Sequence, residues 1–133
     1  MKVVLDTNVL LSALFTRGVC EALFDKCPDS DDCELVLSQH ILQEFAEHAT
    51  GKFGATEEEI SGFLSVLRAG SAIVVPAPLP PDACPDPDDL PVLGTAVAGA
   101  ATALVTGDGG LLSLGSIRGI PIVSPRVFYD RLP

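Results

Sequence analysis

The sequence predicts an α/β fold, a three-layer α/β/α sandwich around a mostly parallel central sheet of about five strands. Short apolar runs rich in β-branched residues alternate with segments of helical period, which is typical of a parallel sheet with crossover helices. The first run, Lys2 to Leu5, has no polar alternation, as expected for a strand buried on both faces. With 133 residues, the chain is expected to form a single domain over residues 1–133.

The predicted elements follow one another at short spacing. Asp6 ends the first strand, and Thr56 with Glu59 matches a capping box for a helix that ends near Ala69. The proline-rich stretch 76–91 is predicted to be a loop within the domain, because the roughly 40 residues beyond it are too few for a separate core. The predicted strands are 2–5, 35–37, 72–75, 103–106 and 120–123; the predicted helices are 8–15, 19–26, one capped by Ser38, 56–69, one capped by Asp86 or Asp88, and a turn at 111–114.

The composition restricts the function classes. Apolar residues make up 47% of the chain and charged residues 20%, which argues against disorder, and no apolar run reaches the ~20 residues of a membrane span. The start does not resemble a secretion signal, so a cytoplasmic protein is expected. The net charge of -10 disfavours a pure nucleic-acid-binding module, but less so an enzyme whose bound cations supply positive charge, or a protein with a basic partner.

The four cysteines have neither Cys-x-x-Cys spacing nor histidines at zinc-finger spacing. Reduced thiols are therefore expected. A bridge between Cys27 and Cys33 remains the alternative, because the intervening PDSDD segment favours a turn that would bring the two together.

Four acidic residues occupy two strand ends, a helix flank and a helix start; they are Asp6, Glu44, Asp89 and Asp108. In an open α/β sheet the carboxyl ends of the strands face one crevice. Carboxylates that converge there repel one another unless a cation lies between them, and Mg²⁺ and Mn²⁺ prefer oxygen ligands. Each residue has an ordinary alternative, such as a helix cap for Asp6 or a turn for Asp108. Their joint occurrence favours a divalent-metal site.

Other chemistries are less well supported. His40, Glu44 and His48 share a helix face, yet the His-Glu-x-x-His spacing of zinc proteases is absent. There is no P-loop and no complete Gly-x-Gly-x-x-Gly. A receiver domain or a haloacid-dehalogenase-type phosphatase would need a lysine downstream of the acids, and the last lysine is Lys52.

Four stretches together resemble the PIN-domain ribonucleases, and within them the VapC-like toxins of toxin–antitoxin pairs. They are VVLDTNVLLSALF, LSQHILQEF, DPDDLPVLGTAVAGAATALVTGDGGLL and IPIVSPRVF, and they cover nearly the whole chain. The resemblance implies a PIN-like fold. It also implies that one or two Mg²⁺ or Mn²⁺ ions are held by Asp6, Glu44, Asp89 and Asp108, with Asp86 as a further acid.

The same resemblance implies supporting roles for Asn8 and Thr106 beside the metal ligands. The chain departs from the family pattern at Gly110, where many relatives have a second aspartate after Thr-Gly-Asp-x. That departure weakens the case for a fifth ligand. Arg17, Arg118 and Arg126, together with Arg131, are candidates for RNA contacts, and ordinary surface charge is the alternative for each.

The activity implied by the resemblance is metal-dependent endoribonuclease cleavage of RNA phosphodiester bonds, leaving 5'-phosphate and 3'-hydroxyl ends. It further implies a homodimer and a small antitoxin, and a basic antitoxin would complement the acidic chain. The alternative is a catalytically silent PIN-like binding or regulatory protein. The acid set argues against that alternative, because folding alone does not require four carboxylates in one crevice.

Overall fold

A computed structural model describes residues 1–27 and 33–132, and it contains one six-stranded sheet in the order β3-β2-β1-β4-β6-β5. All neighbouring strands are parallel except β5 and β6, which form an antiparallel pair. The α/β class with a mostly parallel sheet is therefore confirmed. The strands are β1 (Lys2–Leu5), β2 (Glu34–Ser38), β3 (Ser71–Val74), β4 (Ala103–Val105), β5 (Ser116–Ile117) and β6 (Ile120–Val123).

Seven α-helices connect or follow these strands within the described residues. They are α1 (Thr7–Phe15), α2 (Val19–Lys26), α3 (Gln39–Phe53), α4 (Glu57–Ala69), α5 (Leu90–Ala98), α6 (Gly109–Leu114) and α7 (Pro125–Arg131), and single 3-10 turns cover Pro81–Ala83 and Pro87–Asp89. None of the described helices combines the length and apolar character that crossing a bilayer requires.

Local signals in the sequence explain where several helices begin. The Ser38 hydroxyl accepts a hydrogen bond from the Ile41 amide, which starts α3 directly after β2. The predicted capping box of α4 is confirmed, because Thr56 and Glu59 exchange side-chain-to-backbone hydrogen bonds of 3.1 Å each.

Two elements near the C-terminus were not predicted. The two-residue strand β5 pairs only with β6 through a tight turn in which Arg118 has a φ of 47°, and such a short strand has no pattern of its own. Helix α7 does carry a signal, because Ser124 accepts a hydrogen bond from the Val127 amide and Pro125 occupies the first helical position.

The connections between strands determine which face each helix covers. The chain advances from β1 to β2 to β3 in one direction and then returns through α5 to β4, on the other side of β1. Right-handed crossovers therefore place α5 on the sheet face opposite to α1 and α3. On its face, α5 packs against β1, β2 and β4. The helices cover two faces of the sheet, as a three-layer arrangement requires.

Aromatic packing fixes α3 beside α1. The Phe15 ring lies 6.4 Å from Phe45 and 5.3 Å from Phe63, and it stacks on Phe53 at 4.6 Å between ring centroids. Phe45 is fully buried, and such ring pairs favour one packing arrangement over others. Because Glu44 precedes Phe45, this packing positions the Glu44 carboxylate next to the start of α1.

Strands β1 and β4 lie side by side at the centre of the sheet, with Leu5 opposite Val105. The chain leaves β1 toward one face and β4 toward the other, so their carboxyl ends form a topological switch point where the loops separate and leave a crevice. The Asp6 amide donates to the Val105 carbonyl at 2.9 Å, which places Asp6 directly beside this crevice.

The cysteines differ from the expected reduced state at one pair. Cys27 and Cys33 form a disulfide with a Cα–Cα distance of 5.4 Å, which is the alternative that the sequence left open. Cys20 and Cys84 are free thiols. The predicted polar loop between the bridged cysteines, residues 28–32, lies outside the described residues.

Candidate metal centre

Asp6 is the most firmly held of the predicted acids. It is only 7% exposed, and its Oδ1 accepts the Thr7 amide at 2.7 Å as the N-cap of α1. Its Oδ2 accepts the Thr106 hydroxyl at 2.8 Å and, at 3.4 Å, the side-chain amide of Asn8. The helix-cap interpretation of Asp6 is thus correct, yet one oxygen would suffice for a cap. The second oxygen is oriented by Thr106, which directly follows β4, and by Asn8 of α1.

Glu44 reaches the same region from α3. Its Oε1 accepts the Thr7 hydroxyl at 3.2 Å, so Glu44 is tied to the residue that follows Asp6. His40 Nε2 lies 3.1 Å from this Glu44 oxygen, although that buried nitrogen has no hydrogen-bond partner within the described residues. The contact between His40 and Glu44 therefore lacks hydrogen-bond geometry.

Asp108 approaches from the loop after β4. Its Oδ2 accepts the Leu111 amide at 2.9 Å and caps α6, and its own amide donates to the Thr106 hydroxyl at 3.0 Å. The fully buried Thr106 hydroxyl bridges Asp108 and Asp6, because it accepts from the Asp108 amide and donates to Asp6 Oδ2. On the outer side, the Gly107 amide donates to Asn8 Oδ1 at 3.2 Å, which joins this loop to α1.

The acidic stretch before α5 separates into different roles. Asp86 Oδ1 accepts the Asp88 amide at 3.0 Å and caps the 3-10 turn. Asp89 occupies the position before α5 but makes no side-chain cap hydrogen bond there. Asp86 and Asp88 are exposed, whereas Asp89 is half-buried. Of the three, Asp89 is the one that lines a cavity together with Asp6.

The four acids Asp6, Glu44, Asp89 and Asp108 line a single cavity of about 190 Å³, which we call the acidic cavity. Its other lining residues are Thr7, Asn8, Leu11, His48, Lys52 and Val92. Asp86 lies outside it and lines an adjoining cavity of about 170 Å³ together with Asp89 and Asp108. The structure thus brings together side chains from β1, α3, the start of α5 and the loop after β4.

Burial and mutual repulsion oppose ionisation of this set. Burial raises the pKa of Asp6 above its ordinary 3.8; hydrogen bonds from Thr106 and Thr7 counteract part of this, and repulsion from Glu44 and Asp108 adds to it. Burial followed by repulsion from Asp108 and the other acids raises the pKa of Asp89 to about 6. The acidic cavity therefore favours whatever neutralises negative charge, whether a proton or a cation.

The donor chemistry fits a hard divalent cation, because the converging atoms are carboxylate oxygens with hydroxyl and amide support. Across residues 1–27 and 33–132, however, no three His, Cys, Asp or Glu side chains are grouped closely enough to hold a metal ion together. Any bound cation would have to draw the side chains inward around Asp6.

The arginines proposed for RNA contact do not line the acidic cavity. Arg17 is exposed after the far end of α1, and Arg118 lies in the β5–β6 turn, at the opposite edge of the sheet. Arg126 lies at the start of α7, which follows the carboxyl end of β6, and its Nη1 is 3.9 Å from Asp130 Oδ1. Instead, His48 and Lys52 of α3 reach the cavity. His48 and Lys52 follow Glu44 at intervals of four residues, so the three side chains share one face of α3. That spacing is visible in the sequence.

Comparison with known proteins identifies the family. Residues 2–109 match the model of the PIN domain, so the chain belongs to the PIN-domain family. A comparison with curated protein sequences found no significant match.

Several solved structures share the fold at low identity. VapBC2 from Rickettsia felis, bound to a DNA fragment from its promoter, is 13% identical with a TM-score of 0.62, covering 93% of this chain and 98% of the other. PAE2754 from Pyrobaculum aerophilum is 17% identical with a TM-score of 0.64, and the match covers 99% of this chain and 89% of the other. VapBC-1 from nontypeable Haemophilus influenzae is 17% identical with a TM-score of 0.62, and the match covers 95% of this chain and 99% of the other. The predicted PIN-like fold is confirmed.

Proposed function

We propose that this chain is a metal-dependent endoribonuclease that hydrolyses RNA phosphodiester bonds, and the toxin of a type II toxin–antitoxin pair. The observation that carries the proposal is the acidic cavity, in which carboxylates from four separate segments converge at the switch point of the sheet. Membership of the PIN-domain family supports nuclease chemistry, and the fold shared with chains of VapBC structures supports the toxin assignment.

In this proposal Asp6, Glu44, Asp89 and Asp108 hold one or two Mg²⁺ or Mn²⁺ ions, and Asp86 assists from the adjoining cavity. Asp6 is the fixed ligand, because hydrogen bonds from Thr7 and Thr106 orient both of its oxygens. The other three acids are half-buried and have room to turn toward it. A bound ion would supply acidified water and stabilise the charge that develops on the phosphodiester.

The surrounding residues have supporting roles. Thr106 and Asn8 keep Asp6 and the loop after β4 in register, since each contacts both segments through its side chain. Leu11 and Val92 line the acidic cavity with apolar surface, which limits access of bulk water and strengthens the electrostatic interactions inside.

The partners follow from the same assignment. A small basic antitoxin would complement a chain of net charge -10, and matches to VapBC structures support such a partner. We further propose a single domain, a homodimer and a cytoplasmic location, in line with the family resemblance.

Cleavage of labelled single-stranded RNA tests the proposed activity. The purified chain should cleave it with Mn²⁺ or Mg²⁺ and stop with EDTA, and Asp6→Asn should be inactive while still folded. Asp82→Asn is the matched control, because Asp82 is an exposed aspartate in the turn Pro81–Ala83, away from the acidic cavity. Equal activity of the Asp6→Asn preparation would reveal a contaminating nuclease and contradict the assignment.

A catalytically silent PIN-like binding protein is the second candidate. It is favoured by the spacing of the acids, since no three potential ligands are grouped at metal-binding distance in the part of the chain described, and by Gly110 in place of an aspartate. Absence of Mn²⁺ binding by the folded protein would support this candidate, whereas Mn²⁺ binding without cleavage would indicate a nuclease with a narrow substrate range.

A further inference from the structure

We infer that Lys52 and His48 form a phosphate-binding stripe on α3, which holds the RNA backbone beside the acidic cavity; the inference rests on the proposed function. Both side chains line the cavity that contains the four acids, and they follow Glu44 at intervals of four residues on one helix face. The stripe therefore begins at a proposed metal ligand and leads away from it.

Electrostatics favour such a stripe. A chain of net charge -10 with a carboxylate-lined cavity repels a polyanion, and metal ions compensate only inside the cavity. Among the described residues, Lys52 is the Lys or Arg side chain that lines the acidic cavity. It is exposed and forms no ion pair with any described residue, so its charge is available to a ligand.

Geometry limits which phosphate Lys52 contacts. An α-helix rises 1.5 Å per residue, so Lys52 begins about 12 Å along α3 from Glu44, and His48 begins about 6 Å from it. Lys52 is therefore placed for a phosphate that neighbours the scissile one rather than for the scissile phosphate itself. His48, which is half-buried, offers a ring N–H donor between the two positions.

The shape of the cleft indicates a polymer as the occupant. On the other side of Glu44 the acidic cavity adjoins a groove of about 360 Å³, lined by His40, Gln43, Glu44, Glu47, Pro87, Asp88 and Pro91. The two cavities share Glu44, so the groove lies next to the proposed reaction centre. A strand that enters over Lys52 has space to continue past the centre, as an internal cleavage site requires.

Binding of fluorescein-labelled 12-nucleotide RNA, monitored by anisotropy in EDTA, tests the stripe in the non-cleaving Asp6→Asn background, which is expected to hold no metal ion. Adding Lys52→Gln should weaken binding about 3- to 10-fold and reduce the slope of log affinity against log salt by about 0.7, the effect of one lost single-strand phosphate contact. Lys52→Arg should restore both values. Lys2→Gln is the matched control, since Lys2 is exposed at the opposite edge of the sheet.

Several outcomes would overturn the stripe. The first is unchanged RNA affinity and salt slope in a Lys52→Gln variant with an unaltered melting temperature. The second is a loss of RNA affinity in Lys2→Gln equal to that in Lys52→Gln. The third is no RNA binding together with Lys52-dependent binding of polyglutamate, which would assign the stripe to an acidic protein partner. Cleavage by the wild-type chain is measured in parallel. Lys52-dependent RNA binding by a chain that neither binds Mn²⁺ nor cleaves RNA supports the stripe and contradicts the nuclease. Mn²⁺-dependent cleavage by the wild-type chain, together with unchanged RNA binding by the Lys52→Gln variant, supports the nuclease and contradicts the stripe.

Discussion

The two edges of the central sheet differ in where they place polar groups. At the carboxyl edge, polar side chains are buried and bonded to one another; among the described residues, the buried polar set is Asp6, Thr7, Ser38, Thr95 and Thr106, all at this edge or bonded to it. At the amino edge, Lys2 and Thr102 exchange hydrogen bonds but remain exposed. Stable strand pairing does not require buried polar groups, since the amino edge does without them.

The difference is the one expected if the carboxyl edge carries the proposed metal centre. Burying a carboxylate costs free energy unless it is neutralised, and the raised pKa of Asp6 reflects that cost. Hydrogen bonds from Thr7 and Thr106 offset part of it and fix the orientation of the carboxylate.

Replacing an acid at the carboxyl edge should have the largest effect. Asp89→Asn keeps the shape of the side chain but removes a proposed ligand charge, so metal-dependent RNA cleavage should fall at least about 100-fold, as for loss of one charge-stabilising group. Circular dichroism should show an unchanged fold. The exposed Asp82→Asn should retain activity within about twofold, and comparable losses in both variants would contradict the distinction.

Removing one hydroxyl at each edge should separate them by stability. Thr106→Val leaves buried Asp6 Oδ2 without its shortest donor and removes an acceptor for the Asp108 amide, so the free energy of unfolding should fall by about 1–3 kcal/mol. Thr102→Val removes only an exposed acceptor for the Lys2 amide and should change it by less than about 0.5 kcal/mol. Urea denaturation of both variants measures the difference, and equal values would remove the contrast between the edges.

The metal-free protein should lose stability as pH rises from about 4 to about 6. In this window Asp89, with a folded pKa of about 6, stays protonated in the native state while the unfolded carboxyl has already ionised. The unfolded state then binds fewer protons, so the free energy of unfolding decreases with pH. Melting temperatures in EDTA should show this slope, and Asp89→Asn should flatten it. A slope that is the same in the variant would assign it to other groups.

Gly110→Asp should have the smallest effect. A Cβ at this position would lie 3.2 Å from Asp108 Oδ2, so a side chain there faces the adjoining acidic surface. An added carboxylate should raise Mn²⁺ affinity severalfold, because opposite charges attract at short range. Calorimetric titration of Mn²⁺ measures the change, with Gly109→Asp as the neighbouring control, since a Cβ at Gly109 meets nothing within 4 Å. Equal gains in both would indicate only a general charge effect.

The fold was largely predictable because its central strands are mostly apolar and each contains at least one valine. β1 and β6 were predicted at the bounds observed. β3 was predicted at 72–75, and the observed strand, Ser71–Val74, is shifted by one residue toward the N-terminus. β5 could not be predicted, because two residues form a strand only through pairing with β6. The missed α7 had local signals in Ser124 and Pro125 that were recognisable from the sequence.

The candidate site was predictable where strand ends determine it. Asp6 and Asp108 follow β1 and β4, and adjacency of these strands brings them together. Lys52 was not predicted at the cavity, because its placement depends on the packing of α3 through Phe45 against α1. Sequence spacing alone gives the shared face of a helix but not what that face meets.

Mn²⁺ binding to the purified protein, monitored by electron paramagnetic resonance at pH 7.5, tests most directly whether the carboxyl edge is a metal centre. A metal centre at the carboxyl edge requires one or two bound ions per chain, loss of binding in Asp6→Asn and Asp89→Asn, and unchanged binding in Asp82→Asn. A folded wild-type protein that binds no Mn²⁺, or binds it equally well without Asp6 and Asp89, would contradict the assignment of the carboxyl edge as a metal centre.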